Sequence, residues 1–260
     1  MLKELYTAAL GMMPQQTRLE VVANNLSNAN TIGFKRESVF ERNLIDARAN
    51  FYNVPGDVEQ DDPPYGAYTN FDAGNFQKTD NPLDIAIENS NSFFVVQDET
   101  GAEYLTKAGH FTLDSDGTIA TTDGNILMGQ NGPINISNEF NVDPNEVTDT
   151  QAVKITINEN GEVFANEQLV GNLRLVEIQN LDSLQRISNS NFVITDDTEL
   201  NYLSTEEIKV RQGWVEGSNV DIVKEMVEMI ELQRMYELGS KVIQTNNTTL
   251  DNSIRLGRFV

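Results

Sequence analysis

The sequence contains no cysteine, which excludes a disulfide framework, thiolate metal sites and cysteine nucleophiles. Histidine is almost as scarce, because His110 is the only one, and a single histidine without cysteine is too little for most transition-metal sites. We expect His110 to lie on a strand in a structural role. No window approaches the run of about 18 apolar residues that a transmembrane helix needs, so we predict no membrane insertion.

The N-terminus also lacks a secretory signal. The opening residues, "MLKELYTAALGMMPQQ", contain neither a continuous apolar h-region nor a small-residue cleavage site. We therefore expect that any export of this protein uses another route and removes no signal peptide.

Catalytic and ligand-binding patterns are absent as well. The acidic turns "DSDGT" and "NENGE" do not supply the spaced oxygen ligands and the final bidentate glutamate of a calcium loop. Nothing places two carboxylates around a cleft, as glycan hydrolysis would require. We predict no enzymatic activity, no metal, no cofactor and no small-molecule substrate.

Basic residues are few, since 18 Lys and Arg stand against 40 Asp and Glu for a net charge of -22. This balance argues against nucleic acid as a partner. Residues 1–48 contain six basic and five acidic side chains, residues 209–260 contain seven of each, and residues 49–208 contain five basic and 28 acidic. An ordinary acidic, solvated domain would have such a middle. The alternative is a middle that faces water between ends that pack against something.

An apolar stripe of helical period begins the chain. Its steps of three and four residues lead through Leu2, Leu5, Ala9, Met12, Gln16, Leu19, Ala23, Leu26 and Asn30. This heptad pattern predicts a helix, with a kink or a new segment at Pro14, which lacks a backbone N–H donor. The following "SVFERNLIDA" is compatible with one or two further helical turns.

The middle of the chain predicts β-structure. Residues 49–82, with scattered Gly and Pro, predict an irregular connector. In residues 83–208, short β-rich runs such as "SFFVVQ" and "NLRLVEI" alternate with turn sequences. The stretches "DETGAE", "DSDGT", "TDGN" and "NENGE" predict hairpin turns. We expect a small antiparallel sandwich or barrel.

A second heptad stripe predicts one long helix from Val220 to Leu256, preceded by a capping-box variant of Ser218 and Asp221. The stripe runs through Ile222, Met226, Met229, Gln233, Tyr236, Ser240, Ile243, Asn247, Leu250 and Ile254. A second apolar row lies beside it, formed by Val220, Val223, Val227 and Ile230. The predicted fold is mainly β with long terminal α-helices. In it, an antiparallel β-domain (83–208) lies between heptad helices in 1–48 and 209–260 that pair as a coiled coil.

Three blocks resemble the bacterial flagellar axial family, the rod and hook subunits. "ANNLSNANTIGFKRE" resembles the N-terminal motif of that family, and "VEGSNVDIVKEMVEMIELQRMYELGSKVIQTNNTTLDNSI" resembles its C-terminal helix. "NPLDIAIENSNSFFVVQDETGAEYLTKAGHFTLDSDGTI" resembles its β-domain. The resemblance implies terminal helices that line the inner tube of a helical filament, with the β-domain as its outer layer.

The resemblance further implies a structural subunit of the flagellar basal-body rod, polymerising through its terminal helices into the hollow drive shaft that crosses the periplasm. The short segment 35–81, "GQNGPINI" and "VEGSNV" favour a proximal-rod subunit over a distal-rod or hook-type one. A soluble acidic binding module with a helical partner is the alternative from another class. The expected partners are further copies, other axial proteins and the flagellar export apparatus.

The asparagines of the first block have an implied role. Asn24 and Asn28 would share a helical face, with Asn25 beside them, and would join amide networks between subunits. Gly33 would end the helix in a left-handed cap, and Phe34 would anchor the turn in a neighbouring core. The residues predicted to pack between subunits are Leu5, Met12, Leu19, Asn24, Asn25, Leu26, Asn28, Gly33, Phe34, Ser218, Asn219, Val220, Met226, Met229, Ile230, Tyr236, Ile243 and Leu250.

Overall fold

The structure is a computed structural model, which describes residues 2–41, 65–136, 154–188, 190–195, 201–204 and 207–257. Its described part contains two α-helices, α1 (Leu2–Ser27) and α2 (Ile222–Gly257), and is otherwise mainly β. The predicted combination of β-structure with an N-terminal and a C-terminal helix is confirmed. The four-part division at residues 48, 82 and 208 stays a prediction.

The chain divides into two compact units. The helical unit comprises residues 1–27, 37–70 and 221–260, and the β unit comprises residues 28–36 and 71–220. Each unit therefore draws on segments that are far apart in the sequence. No helix in the described part of the chain is long and apolar enough to span a membrane.

Helix α1 runs without interruption through Pro14, so the predicted new segment at that residue is wrong. The helix ends at Ser27, earlier than the stripe to Asn30 predicted. The Ser27 hydroxyl donates to the Asn24 carbonyl (2.9 Å) in the last turn. Ser and Asn side chains compete for backbone hydrogen bonds, which explains an early end in this amide-rich stretch.

The strands are numbered in chain order through the described residues. Their bounds are β1 (Glu37–Glu41), β2 (Tyr65–Thr69), β3 (Phe76–Lys78), β4 (Ile85–Ile87), β5 (Ser92–Gln97), β6 (Glu103–Thr106), β7 (Phe111–Leu113), β8 (Ile119–Thr121), β9 (Ile126–Gly129), β10 (Gly132–Pro133), β11 (Ile155–Ile157), β12 (Glu162–Ala165), β13 (Gln168–Asn172), β14 (Leu175–Glu177), β15 (Leu184–Arg186), β16 (Asn191–Ile194), β17 (Asn201–Tyr202), β18 (Val210–Gln212) and β19 (Trp214–Glu216). A short 3₁₀ turn, Leu181–Ser183, precedes β15.

Strands β1 and β2 form an antiparallel pair in the helical unit, with Glu37 opposite Thr69 and Glu41 opposite Tyr65. The prediction of further helical turns in "SVFERNLIDA" is therefore wrong for residues 38–41, and residues 42–47 lie outside the described residues. Backbone pairing with β2 holds residues 37–41 in extended structure.

The β unit is built on an antiparallel sheet whose strand order differs from the order in the chain. The order is β15-β16-β6-β5-β9-β8-β7, and β14 also pairs with β5. Strand β5 divides the core because successive side chains point to opposite faces. Phe93 and Val95 belong to one buried cluster, whereas Phe94 and Val96 belong to the other. The smaller sheets are β11-β12-β13, β18-β4 and β19-β3.

The four predicted hairpin turns are confirmed. They connect β5 to β6, β7 to β8, β8 to β9 and β11 to β12, and the glycine of each has a positive φ. His110 follows β6 and forms an isolated bridge with Asp84. Its Nδ1 lies 2.6 Å from the Asp84 carboxylate, a contact between two neighbouring chain segments that fits the expected structural role.

Candidate functional site

One buried asparagine joins three elements of the helical unit. Asn25, near the end of α1, is fully buried. Its amide nitrogen donates to the Glu37 carbonyl of β1 (2.8 Å) and to a carboxylate oxygen of Glu225 on α2 (3.2 Å), and its amide oxygen accepts from the Glu37 N–H (2.9 Å). The amide network predicted between subunits therefore lies within the chain at Asn25, where it fixes the positions of α1, β1 and α2.

The other two asparagines do not share a helical face. Asn24 is exposed on the last turn of α1, whereas Asn28 lies beyond the helix and is buried. The Asn28 carbonyl accepts from the Thr31 N–H (3.0 Å), and its side-chain oxygen accepts from the Thr31 hydroxyl (3.1 Å). The predicted spacing of one helical turn is wrong because α1 ends at Ser27, and Asn28 instead stabilises the turn that follows.

The turn at Gly33 packs residues 28–36 against the strands of the β unit, to which this N-terminal segment belongs. Gly33 has φ +70°, as the left-handed prediction requires, but it lies six residues after Ser27 and is not the cap of α1. Its N–H donates to the Glu216 carbonyl of β19 (2.7 Å). A side chain would not fit, because an added Cβ would lie 2.4 Å from the backbone nitrogen of Ala108.

Phe34 is anchored in the core of its own chain. The ring is fully buried, and the Arg186 guanidinium lies over it at 4.4 Å from the ring centroid. Arg186 also donates to the Lys35 carbonyl. The predicted anchoring of Phe34 is therefore intramolecular in this structure, and cation–π contact adds to the burial of the ring.

A buried ion pair joins the N-terminal segment to β19 within the β unit. The Lys35 ammonium lies 2.6 Å from a Glu216 carboxylate oxygen and donates to the Asp72 carbonyl (2.8 Å). The same carboxylate oxygen accepts from the Gly74 N–H (2.8 Å). Both charged side chains are almost fully buried. Buried charges require such partners, because an uncompensated ion in the interior costs several kcal/mol.

Asn219 completes the contacts between the N-terminal segment 28–36 and the residues at and after β19, which together form a junction. Its side-chain oxygen accepts from the Arg36 N–H (2.6 Å), and its side-chain nitrogen donates to the Asp72 carbonyl (3.0 Å). Its own N–H donates to the Phe34 carbonyl (3.4 Å). The predicted residues Gly33, Phe34 and Asn219 are thus brought together, although the segments that contain them are nearly two hundred residues apart.

A second lysine is buried beside the junction. Lys107 follows β6, donates to the Asn89 carbonyl (2.7 Å) and lies over the Phe93 ring at 5.0 Å from its centroid. Burial lowers the pKa of Lys107 to about 7, although the nearby Glu216 charge acts in the opposite direction. Sequence reasoning missed Lys35, Lys107 and Glu216, because charged side chains are rarely buried and the pattern of the sequence does not identify the exceptions.

The start of α2 differs from the predicted capping box. Asp221 itself is the N-cap, since its carboxylate accepts from the N–H groups of Val223 (3.1 Å) and Lys224 (3.2 Å). The donation from the Lys224 N–H lowers the pKa of Asp221. The Ser218 hydroxyl accepts from the Val220 N–H (3.2 Å) before the helix begins. Ser218, Asn219 and Val220 are all half-buried.

The buried stripes of both helices are rotated from the predicted ones. In α1, Val22 is buried, whereas the predicted Gln16 and Ala23 are exposed. In α2, Glu225 and Leu232 are buried, whereas the predicted Met226 and Gln233 are exposed. The half-buried members of the predicted set are Met12, Leu19, Leu26, Met229 and Ile243.

The rotation leaves an apolar surface on α2 exposed. Val223 retains 70% of its accessible surface and Ile230 retains 51%. The exposed apolar row, as we name it, consists of Val223, Met226, Val227, Ile230, Met235, Leu238 and Val242. Tyr236 is also exposed. The side chains of the predicted Leu5 and Leu250 lie outside the described residues.

Comparison with known proteins gives similarity along the whole chain. Residues 5–35 match the family described as "Flagella basal body rod protein", residues 86–165 match "Flagellar hook protein FlgE/F/G D1 domain", and residues 211–256 match "Flagellar basal body rod FlgEFG protein C-terminal". The matched ranges include Asn25, the turn at Gly33 and the whole exposed apolar row.

Individual relatives match over nearly their full length. The chain is 32% identical to the flagellar basal-body rod protein FlgG of Agrobacterium fabrum, over 94% of this chain and 95% of the relative. It is 31% identical to FlgG of Borreliella burgdorferi, over 99% of this chain and 100% of the relative. It is 30% identical to the rod protein FlgF of Buchnera aphidicola subsp. Schizaphis graminum, over 96% of each chain.

Proposed function

The chain belongs to the flagellar basal-body rod protein family, and on that premise we propose that it polymerises through its terminal helices into the hollow shaft that crosses the periplasm. It is a structural subunit of the basal-body rod in flagellum-dependent motility, and it is not an enzyme. Its partners in this role are further copies and other axial proteins of the rod and hook.

The exposed apolar row of α2 is the observation that supports polymerisation. The seven side chains of the exposed apolar row all lie on one helix of a chain with a net charge of -22. Single exposed apolar residues are ordinary, but several together are typical of a surface that another protein covers. Burying the half of such a side chain that is still exposed stabilises an assembly by roughly 1 kcal/mol, so several together supply a substantial driving force.

We also propose that α1 and α2 pair as a coiled coil in the assembled rod. Two contacts in the helical unit support this pairing. An added methyl at Gly239 of α2 would lie 3.1 Å from the Met12 side chain of α1, which indicates close approach of the two helices. Asn25 and Glu225 are hydrogen bonded between the same helices and would fix their register, as buried polar residues do in coiled coils.

A matched pair of substitutions tests the polymerisation surface. Ile230 on α2 and Leu169 on β13 are exposed to 51% and 50%, so Ile230→Gln and Leu169→Gln remove similar apolar surface from the two units. We expect Ile230→Gln to weaken sedimentable assembly and motility, and Leu169→Gln to leave both unchanged. Equal effects of the two variants, or no effect of Ile230→Gln in a folded protein, would contradict the assigned surface.

Export and rod position are the remaining parts of the proposal. We propose export through the flagellum-specific type III apparatus without removal of a signal peptide. The intact mass of the protein in isolated basal bodies tests this, since loss of an N-terminal segment would contradict it. The proximal position stays a prediction, with distal-rod and hook-type positions as alternatives, and labelling of the subunit in isolated basal bodies would distinguish them.

A further inference from the structure

Three buried charges meet in the β unit, two positive and one negative. Lys35 and Lys107 are 0% and 2% exposed, and Glu216 is 3% exposed. Lys35 takes the carboxylate as its direct partner, at 2.6 Å. Lys107 instead contacts the neutral Asn89 carbonyl and the Phe93 ring. One buried carboxylate therefore acts on two lysines, and only Lys35 is paired with it directly.

The two lysines belong to segments that lie against each other. Lys35 belongs to the segment 28–36, which we call the junction segment. The turn of this segment at Gly33 lies directly on the backbone of Lys107 and Ala108, since an added Cβ at Gly33 would be 2.6 Å from the Lys107 carbonyl carbon. The junction segment therefore both covers Lys107 and brings the competing ammonium of Lys35 to the carboxylate.

Few other charges face this cluster among the described residues. The Glu177 carboxylate of β14 accepts from the Asn89 side chain (3.1 Å), whose backbone carbonyl accepts from Lys107. Arg186 of β15 donates to the Lys35 carbonyl and stacks on Phe34. The charges that act directly on Lys107 are the Glu216 carboxylate, which favours its ammonium form, and the Lys35 ammonium, which opposes it.

We propose that Lys35 and Lys107 are alternative partners of Glu216, so that docking of the junction segment onto the β unit releases a proton from Lys107. With the segment docked, Lys35 pairs with the carboxylate, and above about pH 7 Lys107 is a neutral amine. With the segment lifted, Glu216 loses Lys35, Lys107 gains water, and its amine takes a proton from solvent to become the new partner. The exchange keeps the buried carboxylate compensated in both states.

The linkage has a definite sign. Burial and Lys35 lower the pKa of Lys107 to about 7 in the docked state, below the ordinary lysine value of 10.5 that the lifted state approaches. Between these two values only the lifted state holds the proton, so docking strengthens as the pH rises through this window. Below about pH 7 both states are protonated, and the pH dependence from Lys107 disappears.

Amide exchange at Gly33 measures docking, because its N–H is bonded to the Glu216 carbonyl only while the segment is docked. We expect protection at Gly33 to rise by up to about tenfold per pH unit above about pH 7, after correction for intrinsic exchange and where exchange reports the opening equilibrium. In Lys107→Met this dependence should vanish. The matched control Lys209→Met, at an exposed lysine of the same unit, should keep the wild-type dependence.

A second measurement keeps the proposal testable if Lys107→Met does not fold. NMR titration of the Lys107 side chain in the full-length protein should give a midpoint near 7 in the wild type. In Lys35→Met the midpoint should rise, because Lys107 then becomes the sole ammonium beside Glu216. An unchanged midpoint in Lys35→Met, or the same pH dependence of Gly33 protection in wild type and Lys107→Met, would overturn the exchange of partners.

Discussion

Replacing Gly33 by alanine is the smallest change that tests the junction between the N-terminal segment and β19. The added Cβ would lie 2.4 Å from the nitrogen of Ala108 and 2.6 Å from both the Ala108 Cα and the Lys107 carbonyl carbon. All three are backbone atoms, so no side-chain rotation relieves the contact. The substitution must therefore move the turn itself.

Two costs add at this position. A non-glycine residue at φ +70° costs roughly 1–2 kcal/mol in the left-handed region. Moving the turn away from Ala108 also breaks the bond from the Gly33 N–H to the Glu216 carbonyl, which contributes about 1 kcal/mol. We expect Gly33→Ala to lower the free energy of unfolding by about 2–3 kcal/mol, and Gly33→Val to lower it further and abolish motility.

Gly124→Ala is the matched control, because Gly124 also has a positive φ (+86°) but no atom within 4 Å of an added Cβ. It should show the left-handed cost alone, about 1–2 kcal/mol. Denaturant unfolding followed by the fluorescence of Trp214, the single tryptophan, two residues before Glu216, gives both values. If Gly33→Ala costs no more than Gly124→Ala, the close approach to Ala108 does not hold the junction.

Three further predictions concern the buried polar groups and the charge of the chain. Asn25→Leu should cost about 2–4 kcal/mol in unfolding free energy, because it removes the two hydrogen bonds between Asn25 and the Glu37 backbone of β1, whereas Asn24→Leu at an exposed site should change little. Lys35→Met should cost about 3–5 kcal/mol, because it removes the ammonium that is paired directly with a buried carboxylate, whereas Lys78→Met, in an exposed pair, should cost under about 1 kcal/mol. Sedimentation should show stronger assembly in moderate salt, because screening within about 10 Å relieves repulsion between the acidic middle segments, and steady weakening with salt would contradict this.

The elements that sequence predicted correctly are those with a local physical cause. The hairpin turns follow from glycines whose positive φ other residues rarely adopt, and the long C-terminal helix follows from a heptad pattern without proline. The end of α1 and the strand at β1 depend on competition instead. A Ser-Asn stretch can continue or end a helix, and residues 37–41 become a strand because β2 is there to pair with them.

The junction was predicted only in part. Gly33, Phe34 and Asn219 were identified because they belong to blocks that resemble a known family, and the structure brings them together. Lys35 and Glu216 belong to the same blocks, yet nothing in the sequence marks them as buried. Charged residues are exposed by default, and only the three-dimensional approach of two distant segments shows that each compensates the other.

The rotated helical stripes show why the sequence alone does not predict which face of a terminal helix packs inside the chain. In α2 the sequence offers Met226 for the internal face, yet the structure buries the neighbouring Glu225, which Asn25 stabilises, and leaves Met226 exposed. Apolar residues on two faces of one helix can contact two partners, one inside the chain and, in the proposed function, one outside it. Periodicity gives the spacing of the residues on both faces, but it does not show which face is buried inside the chain. The buried Glu225 identifies the face of α2 that packs inside the chain. A buried carboxylate needs a permanent hydrogen-bond partner, and Asn25 of the same chain supplies it.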